Sequence, residues 1–309
     1  MPDKKIRIRK SERFNLQRRV VAHMTSTSWK SVPHVSYVYE PDITDFYSEF
    51  IQLAKERKNT GFKITFNTVM IKVIVEGLLV APDLNSYVEY NHKKAEGMTH
   101  ILGEINVSIP WLLPDGKMIT PSIPNAGKMS LNDISDYILN LSKRIEKTNV
   151  DEMLYRAAFD DAVNELKKFH LSILRRIIAS QVTRHKVRRR KGKEKEDYYK
   201  IPENERLTEK DIMSGTVTVS NIGSLYKQQR GFFALLEIIP PQVLAIGLGS
   251  VQERPGIYVN ENGNKEIGIR KILPMCLAFD HRAVDFSSII PFLKRLDEIF
   301  AKPDIIHKW

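Results

Sequence analysis

The sequence predicts a mixed α/β fold, a β-sheet flanked by helices. Two observations carry this. Apolar runs of strand length alternate with stretches whose apolar residues recur at helical spacing, and the order contains no internal repeat.

Taken in order, residues 1–10 are polar and basic, and the run from Arg18 to Met24 reads as a short helix leading into an extended segment. Residues 32–44, VPHVSYVYEPDIT, alternate β-branched and aromatic residues with polar ones and end near Pro41, as a half-buried strand does. A helix is expected from Ile43 to Arg57, with Phe46, Phe50, Leu53 and Ala54 on one face; a more apolar one follows from Thr65 to Val80, closed by Pro82. INVSIPWLL and MITPSIPNA then form a hairpin-like unit about Pro114-Asp115-Gly116, where proline and glycine supply the turn angles. Ser130 opens a helix in which Leu131, Ile134, Ile138 and Leu141 share a face. Asp151 to His185 reads as one long amphipathic helix, with Leu154, Ala158, Ala162, Leu166, Phe169, Ile173 and Ile177 every three to four residues. After a basic run to Lys200 come three strands, GTVTVSNIG, QVLAIGLGSV and ILPMCLAFDH, and a closing helix from Ser287 to Phe300.

The 309 residues suffice for one large core or two medium ones, and 42% hydrophobic with 28% charged residues is the balance of an ordinary folded protein. Cys276 is the only cysteine and sits in an apolar run, which excludes an internal disulfide and a cysteine-based metal site; a buried small hydrophobe is the expected role. No window of about 18 apolar residues occurs, and no basic flank leads an apolar stretch to a small-residue cleavage site. The expectation is a soluble, cytoplasmic protein without a membrane span. The net charge of +11 is concentrated: residues 184–200 carry nine Lys/Arg against three Asp/Glu, so one segment supplies +6 of it. The remainder suits a phosphorylated small ligand as well as nucleic acid, and no nucleic-acid-binding module is recognisable.

Residues 277–286, LAFDHRAVDF, are the most informative. A strand ending in histidine, with aspartate four residues later, can hold an imidazole and a carboxylate at one rim. Alone, His281 would weigh little, because most histidines are surface or satisfied core residues. The surrounding pattern changes that. Asp280-His281-Arg282-Ala283-Val284-Asp285 resembles the D-H-R-x-x-D-G signature of the dihydrolipoamide acyltransferases, the core components of 2-oxo acid dehydrogenase complexes, and of their relative chloramphenicol acetyltransferase. SGTVTVSNIGS at 214–224 is similar to the family's G-T-F-T-I-S-N-I-G strand, and PPQVLAIGLGSVQERP at 240–255 to its P-P-E-V-A-I-L-G-V-G-R-I segment. PDLNSYV and PDGKMITPSIPNAGKMSL resemble two further blocks in the right order. The match runs from about Arg18 to Leu296, interrupted near 148–205.

The resemblance implies a coenzyme A-dependent acyltransferase fold of the chloramphenicol acetyltransferase type, a single catalytic domain over 1–309 carrying an inserted segment at 148–205. It implies a homotrimer whose active site lies in a channel between subunits, the histidine of one meeting the serine of its neighbour. His281 would be the general base that takes a proton from a thiol of coenzyme A or of a reduced lipoyl group. Ser220 would donate its hydroxyl to the oxyanion, and Asp285 would fix the geometry through an ionic contact with an unassigned partner. Outside the resemblance, Ser220 reads as a polar residue on a strand edge and Asp285 as a helix N-cap. Gly247 and Gly249 make a lone G-x-G, read as turn or close-packing glycines and not as a nucleotide loop. Neither a metal nor a bound cofactor is implied; coenzyme A enters as substrate.

Two departures from the family pattern bear on function. Phe286 stands where the family has glycine, so its ring must redirect the backbone or fill volume near the catalytic loop. Leu225-Tyr226-Lys227 replaces a small, glycine-rich stretch and is expected to reshape a substrate channel. No lipoyl domain, subunit-binding domain or lipoylation site is recognisable, Lys93-Lys94-Ala95 being a poor substitute. Either the lipoyl group arrives in trans, on a carrier protein or other 2-oxo acid dehydrogenase components, or the acceptor is a different small molecule altogether. The alternative reading is a catalytically weak or inactive scaffold subunit of such a complex. For the inserted segment, intrachain or trimer-face packing comes first, a partner-docking arm second, an anionic membrane surface third and nucleic acid last.

Overall fold

A computed structural model of the chain describes residues 8–14, 16–153, 156 and 192–309. The long helix expected over 151–185 and the basic run up to residue 191 fall almost wholly outside the described residues. The chain divides into two compact units, residues 1–26 with 149–200 and residues 27–148 with 201–309. Helix α1 (Leu16–Ser31) begins in the first and ends in the second.

Helices of the larger unit start where the sequence caps them. Helix α2 (Thr44–Asn59) follows Asp42, whose carboxylate accepts the Thr44 backbone N–H at 2.9 Å and hydroxyl at 2.6 Å. Thr65 caps α3 (Phe66–Val80) by accepting the Thr68 N–H at 3.1 Å, and α3 is buried almost all round. Ser130 and Asp133 form a reciprocal capping box at the start of α4 (Leu131–Lys147). In the smaller unit α5 (Lys193–Tyr199) places the Tyr199 hydroxyl to donate to Glu152 at 2.9 Å. A single turn, α6 (Glu209–Met213), precedes the central strands, and α7 (Phe286–Ala301) closes the fold.

The expected mixed sheet has six strands. Its order is β1 (His34–Tyr39), β12 (Met275–Asp280), β9 (Leu244–Leu248), β8 (Val217–Asn221), β4 (Val107–Ser108) and β7 (Ser122–Ile123). β8 runs parallel to β9 and β4; the other pairs are antiparallel. The expected hairpin about 114–116 forms, but Pro110 and Pro121 cannot donate to a ladder and split it. Its outer part is β5 (Trp111–Leu112) with β6 (Met118–Ile119), and its inner part joins the sheet as β4 and β7. Two hairpins were not expected from the sequence, β2 (Ser86–Asn91) with β3 (Glu96–Ile101) and β10 (Gln252–Val259) with β11 (Lys265–Ile272).

The two faces of the sheet differ because opposed residues on neighbouring strands share a face. Tyr37, Leu277, Ile246 and Val219 line one face, with Tyr39, Met275, Leu248 and Asn221 in the next row. Tyr39 donates its hydroxyl to Asp297 of α7, and α7 packs on α3, where Gly77 leaves room for Phe292 and Leu296. The opposite face is made of small residues, Ser36, Ala278, Ala245 and Thr218, then Val38, Cys276, Gly247 and Ser220. Part of the segment 222–242 crosses it closely: Leu236 sits over Gly247, and the Ser36 hydroxyl donates to the Ala234 carbonyl at 2.6 Å. Ile238 joins Val32, Ala245 and Ala278 in a buried cluster.

Candidate active site

His281 follows directly on β12, after its last ladder pair, Asp280 opposite His34. Its backbone N–H donates to the Pro33 carbonyl at 3.1 Å, so the start of β1 fixes the main chain here. Asp280 is fully buried and grips Arg282 through both carboxylate oxygens, at 2.6 and 3.0 Å, while also accepting the Arg282 N–H. A buried charge without such a partner would be expensive. The pair instead ties down the turn that displays the imidazole.

The ring of His281 is half exposed, its side chain 49% accessible, and stands edge-on to Phe279. Nδ1 lies 3.2 Å from the Val284 carbonyl oxygen and 3.2 Å from an Asp285 carboxylate oxygen. Both neighbours are acceptors, so in the neutral imidazole Nδ1 carries the proton and Nε2 keeps the lone pair. Nothing among the described residues engages Nε2. The partner of Asp285 is thus His281. Asp285 does occupy the N-cap position of α7, but its side chain caps no backbone N–H. At 77% exposure its pull on the ring is screened by water, and the Val284 carbonyl is the firmer anchor.

Phe286, whose ring is expected to redirect the backbone or fill volume near the catalytic loop, is the first residue of α7. Its ring packs edge-on against Tyr37 with centroids 5.1 Å apart and remains partly exposed. Leu225 and Tyr226 are likewise exposed beyond the end of β8. Cys276 is buried beneath the crossing segment; burial pushes its thiol up to about 11, with a backbone hydrogen bond from Leu236 opposing more weakly. A thiol held protonated is no nucleophile.

Ser220 lies near the end of β8, part exposed on the small-residue face, and its hydroxyl has no hydrogen-bond partner among the described residues. The ladder sets Ser220 opposite Gly247 and Gly247 opposite Cys276, five residues before His281. Two strand spacings across and five residues along put the two Cα positions about 20 Å apart within one chain. The structure brings His281 and Asp285 together and leaves Ser220 apart. Sequence reasoning missed Pro33, whose carbonyl holds the His281 main chain, and Asn67, which touches the residue after Ser220. The first was signalled by the extended Val-Pro-His run; the second by nothing local.

Among the described residues no cluster of His, Cys, Asp or Glu could hold a metal ion, and no helix is long and apolar enough to cross a membrane. A family model described as 2-oxoacid dehydrogenases acyltransferase (catalytic domain) matches residues 8–154 and 192–307. The chain is 21% identical over 277 residues to the dihydrolipoyllysine-residue acetyltransferase component of the pyruvate dehydrogenase complex of Mycobacterium bovis, covering 89% of this chain and 38% of that protein. It is 24% identical over 291 residues to the lipoamide acyltransferase component of the branched-chain alpha-keto acid dehydrogenase complex of Bacillus subtilis, covering 93% and 51%. The chain therefore spans between a third and about half the length of such relatives. A crystal structure of a probable dihydrolipoamide acetyltransferase from Listeria monocytogenes superposes with a TM-score of 0.62 at 20% identity, covering 95% of this chain and 94% of that one; the shared fold is the one expected from the sequence.

Proposed function

The chain belongs to the 2-oxoacid dehydrogenase acyltransferase family, as a catalytic domain, and from that premise we propose that it transfers an acyl group between coenzyme A and a thiol, a dihydrolipoyl group being the acceptor. The observation that carries the proposal is the state of His281: half exposed, with Nδ1 turned to two acceptors and Nε2 left as a base.

In this reading Nε2 takes the proton of the attacking thiol as its sulfur forms a bond to the thioester carbonyl. A thiol near pKa 8.5 needs this help only in part. The carbonyl oxygen becomes an oxyanion and receives a hydrogen bond from Ser220. Collapse breaks the original carbon–sulfur bond, and the leaving thiolate regains a proton from the imidazolium. Asp285 steadies the imidazole from the Nδ1 side. Because one chain holds the two Cα positions about 20 Å apart, Ser220 acts from a neighbouring subunit of a homotrimer. We read residues 1–309 as one catalytic domain carrying an inserted segment at 148–205, which the gap in the matched intervals supports.

The test is formation of free coenzyme A, separated chromatographically, from a panel of acyl-CoAs with dihydrolipoamide as acceptor, by wild type, His281→Ala, Ser220→Ala and an equimolar, reassembled mixture of the two variants. Loss of about 100-fold or more in each variant, with partial recovery in the mixture, is expected. Equal rates for wild type and His281→Ala on every donor would overturn the proposal in favour of a scaffold subunit.

A further inference from the structure

The end of β8 is held from outside the sheet by one helix. Asn221, next to Ser220, donates its side-chain N–H to the Asn67 carbonyl oxygen at 2.8 Å. The same side chain accepts the Ser224 backbone N–H at 3.0 Å, and the Ser224 hydroxyl donates to the Asn221 carbonyl at 2.7 Å. A backbone N–H can only donate, so the Asn221 oxygen must face Ser224, its NH2 must face Asn67, and Asn67 must present oxygen. The amide orientations are therefore dictated and not arbitrary.

Asn67 is the second residue of α3, and from Thr68 to Val75 that helix is buried at every position. It is a rigid platform. The chain beyond Asn221 has little other freedom: Ile222 and Gly223 both donate to the Leu248 carbonyl, at 3.1 and 3.3 Å, and a side chain at Gly223 would collide with the Gly249 backbone. Those contacts belong to the sheet itself. Among the described residues, the hydrogen bond from Asn221 to Asn67 relates the strand end that carries Ser220 to the helical layer on the other face.

We propose that Asn67 is a positioning residue for Ser220, acting through Asn221 to fix the strand end and turn from which the Ser220 hydroxyl is presented. The proposal rests on the acyltransferase reading. A hydroxyl that must meet an oxyanion in transit depends on placement to fractions of an ångström, whereas ground-state substrate binding does not. Losing the Asn67 bond therefore lowers turnover and spares KM.

The experiment is a double-mutant cycle in acyl transfer from acyl-CoA to dihydrolipoamide, read as coenzyme A formed and run on the assembled protein. Asn67→Ala should lower kcat about tenfold with KM for acyl-CoA within about twofold. In a Ser220→Ala background it should cause no further loss. Asn67→Asp, which keeps an acceptor oxygen and suits a helix N-terminus, should stay within about threefold of wild type. Should Asn67→Ala not fold, Asn67→Ser, too short to reach Asn221, is read the same way. Equal losses from Asn67→Ala with and without Ser220, wild-type turnover of that variant, or an Asn67→Asp as weak as Asn67→Ala would each overturn the inference while Ser220→Ala still impairs catalysis. A Ser220→Ala as active as wild type overturns the Ser220 role itself, and this inference with it.

Discussion

At the scale of single residues, the small-residue face of the sheet works because of what is missing from it. A Cβ built at Gly247 would lie 2.8 Å from a Leu236 methyl carbon, so a side chain there obliges the Leu236 side chain above it to shift. Gly247→Ala is expected to destabilise the fold by roughly 1–3 kcal/mol through overpacking, measured as a lower urea midpoint with unchanged slope. In a Leu236→Ala background the penalty should shrink, since the opposing atoms are gone. An alanine at 247 as stable as wild type would mean that the crossing segment yields freely. The lone G-x-G was thus read correctly as packing. His281, Ser220 and Asp285 stand out in the sequence as candidates because their motifs are local. The partner of Asp285 became assignable only from the turn that folds it back four residues onto His281. Asn67 was invisible, because a sequence separation of 154 residues leaves no local trace of a hydrogen bond.

At the scale of elements, helices with a cap and an apolar stripe were placed within a residue or two, and buried strands were found by their apolar runs. The missed hairpins show what that method lacks. β3 is exposed at all six positions and carries no buried alternation to detect. β10 and β11 do alternate, but with inverted sense: Ile257, Val259, Ile267 and Ile269 point to solvent, the last two 79% and 76% exposed. The inward face carries Arg254, Tyr258 and Arg270. Arg270 donates to Asp42 at 2.6 Å and so ties β11 to the start of α2. Burial raises the pKa of the Asp42 carboxyl, but hydrogen bonds from Thr44 and Arg270 together outweigh it and hold it below the usual carboxylate range. The sign follows from the lowered folded value. The stabilisation is present above about pH 4, where an unfolded aspartate is ionised, and fades as pH falls through the lower folded value. Asp42→Asn should therefore be less stable than wild type at pH 7, and the gap in urea midpoint should narrow steadily below about pH 4. A gap independent of pH would show that the charge of Asp42 contributes nothing.

At the scale of the whole molecule, the sequence could say which strands exist and could not say how they are ordered. The register that sets Ser220, Gly247 and Cys276 side by side joins segments 27 and 29 residues apart and depends on the entire sheet. From that register comes the distance between the hydroxyl and the imidazole, and with it a kinetic expectation. Specific activity should fall as the protein is diluted to concentrations where sedimentation finds single chains, and recover on concentrating. Constant turnover per polypeptide across that range would mean that His281 works without a neighbour's serine. The rate law would then reveal what no single fold can: catalytic competence would be a property of encounters between polypeptides, and a solitary one would be a spectator to the reaction its own side chains are equipped to perform.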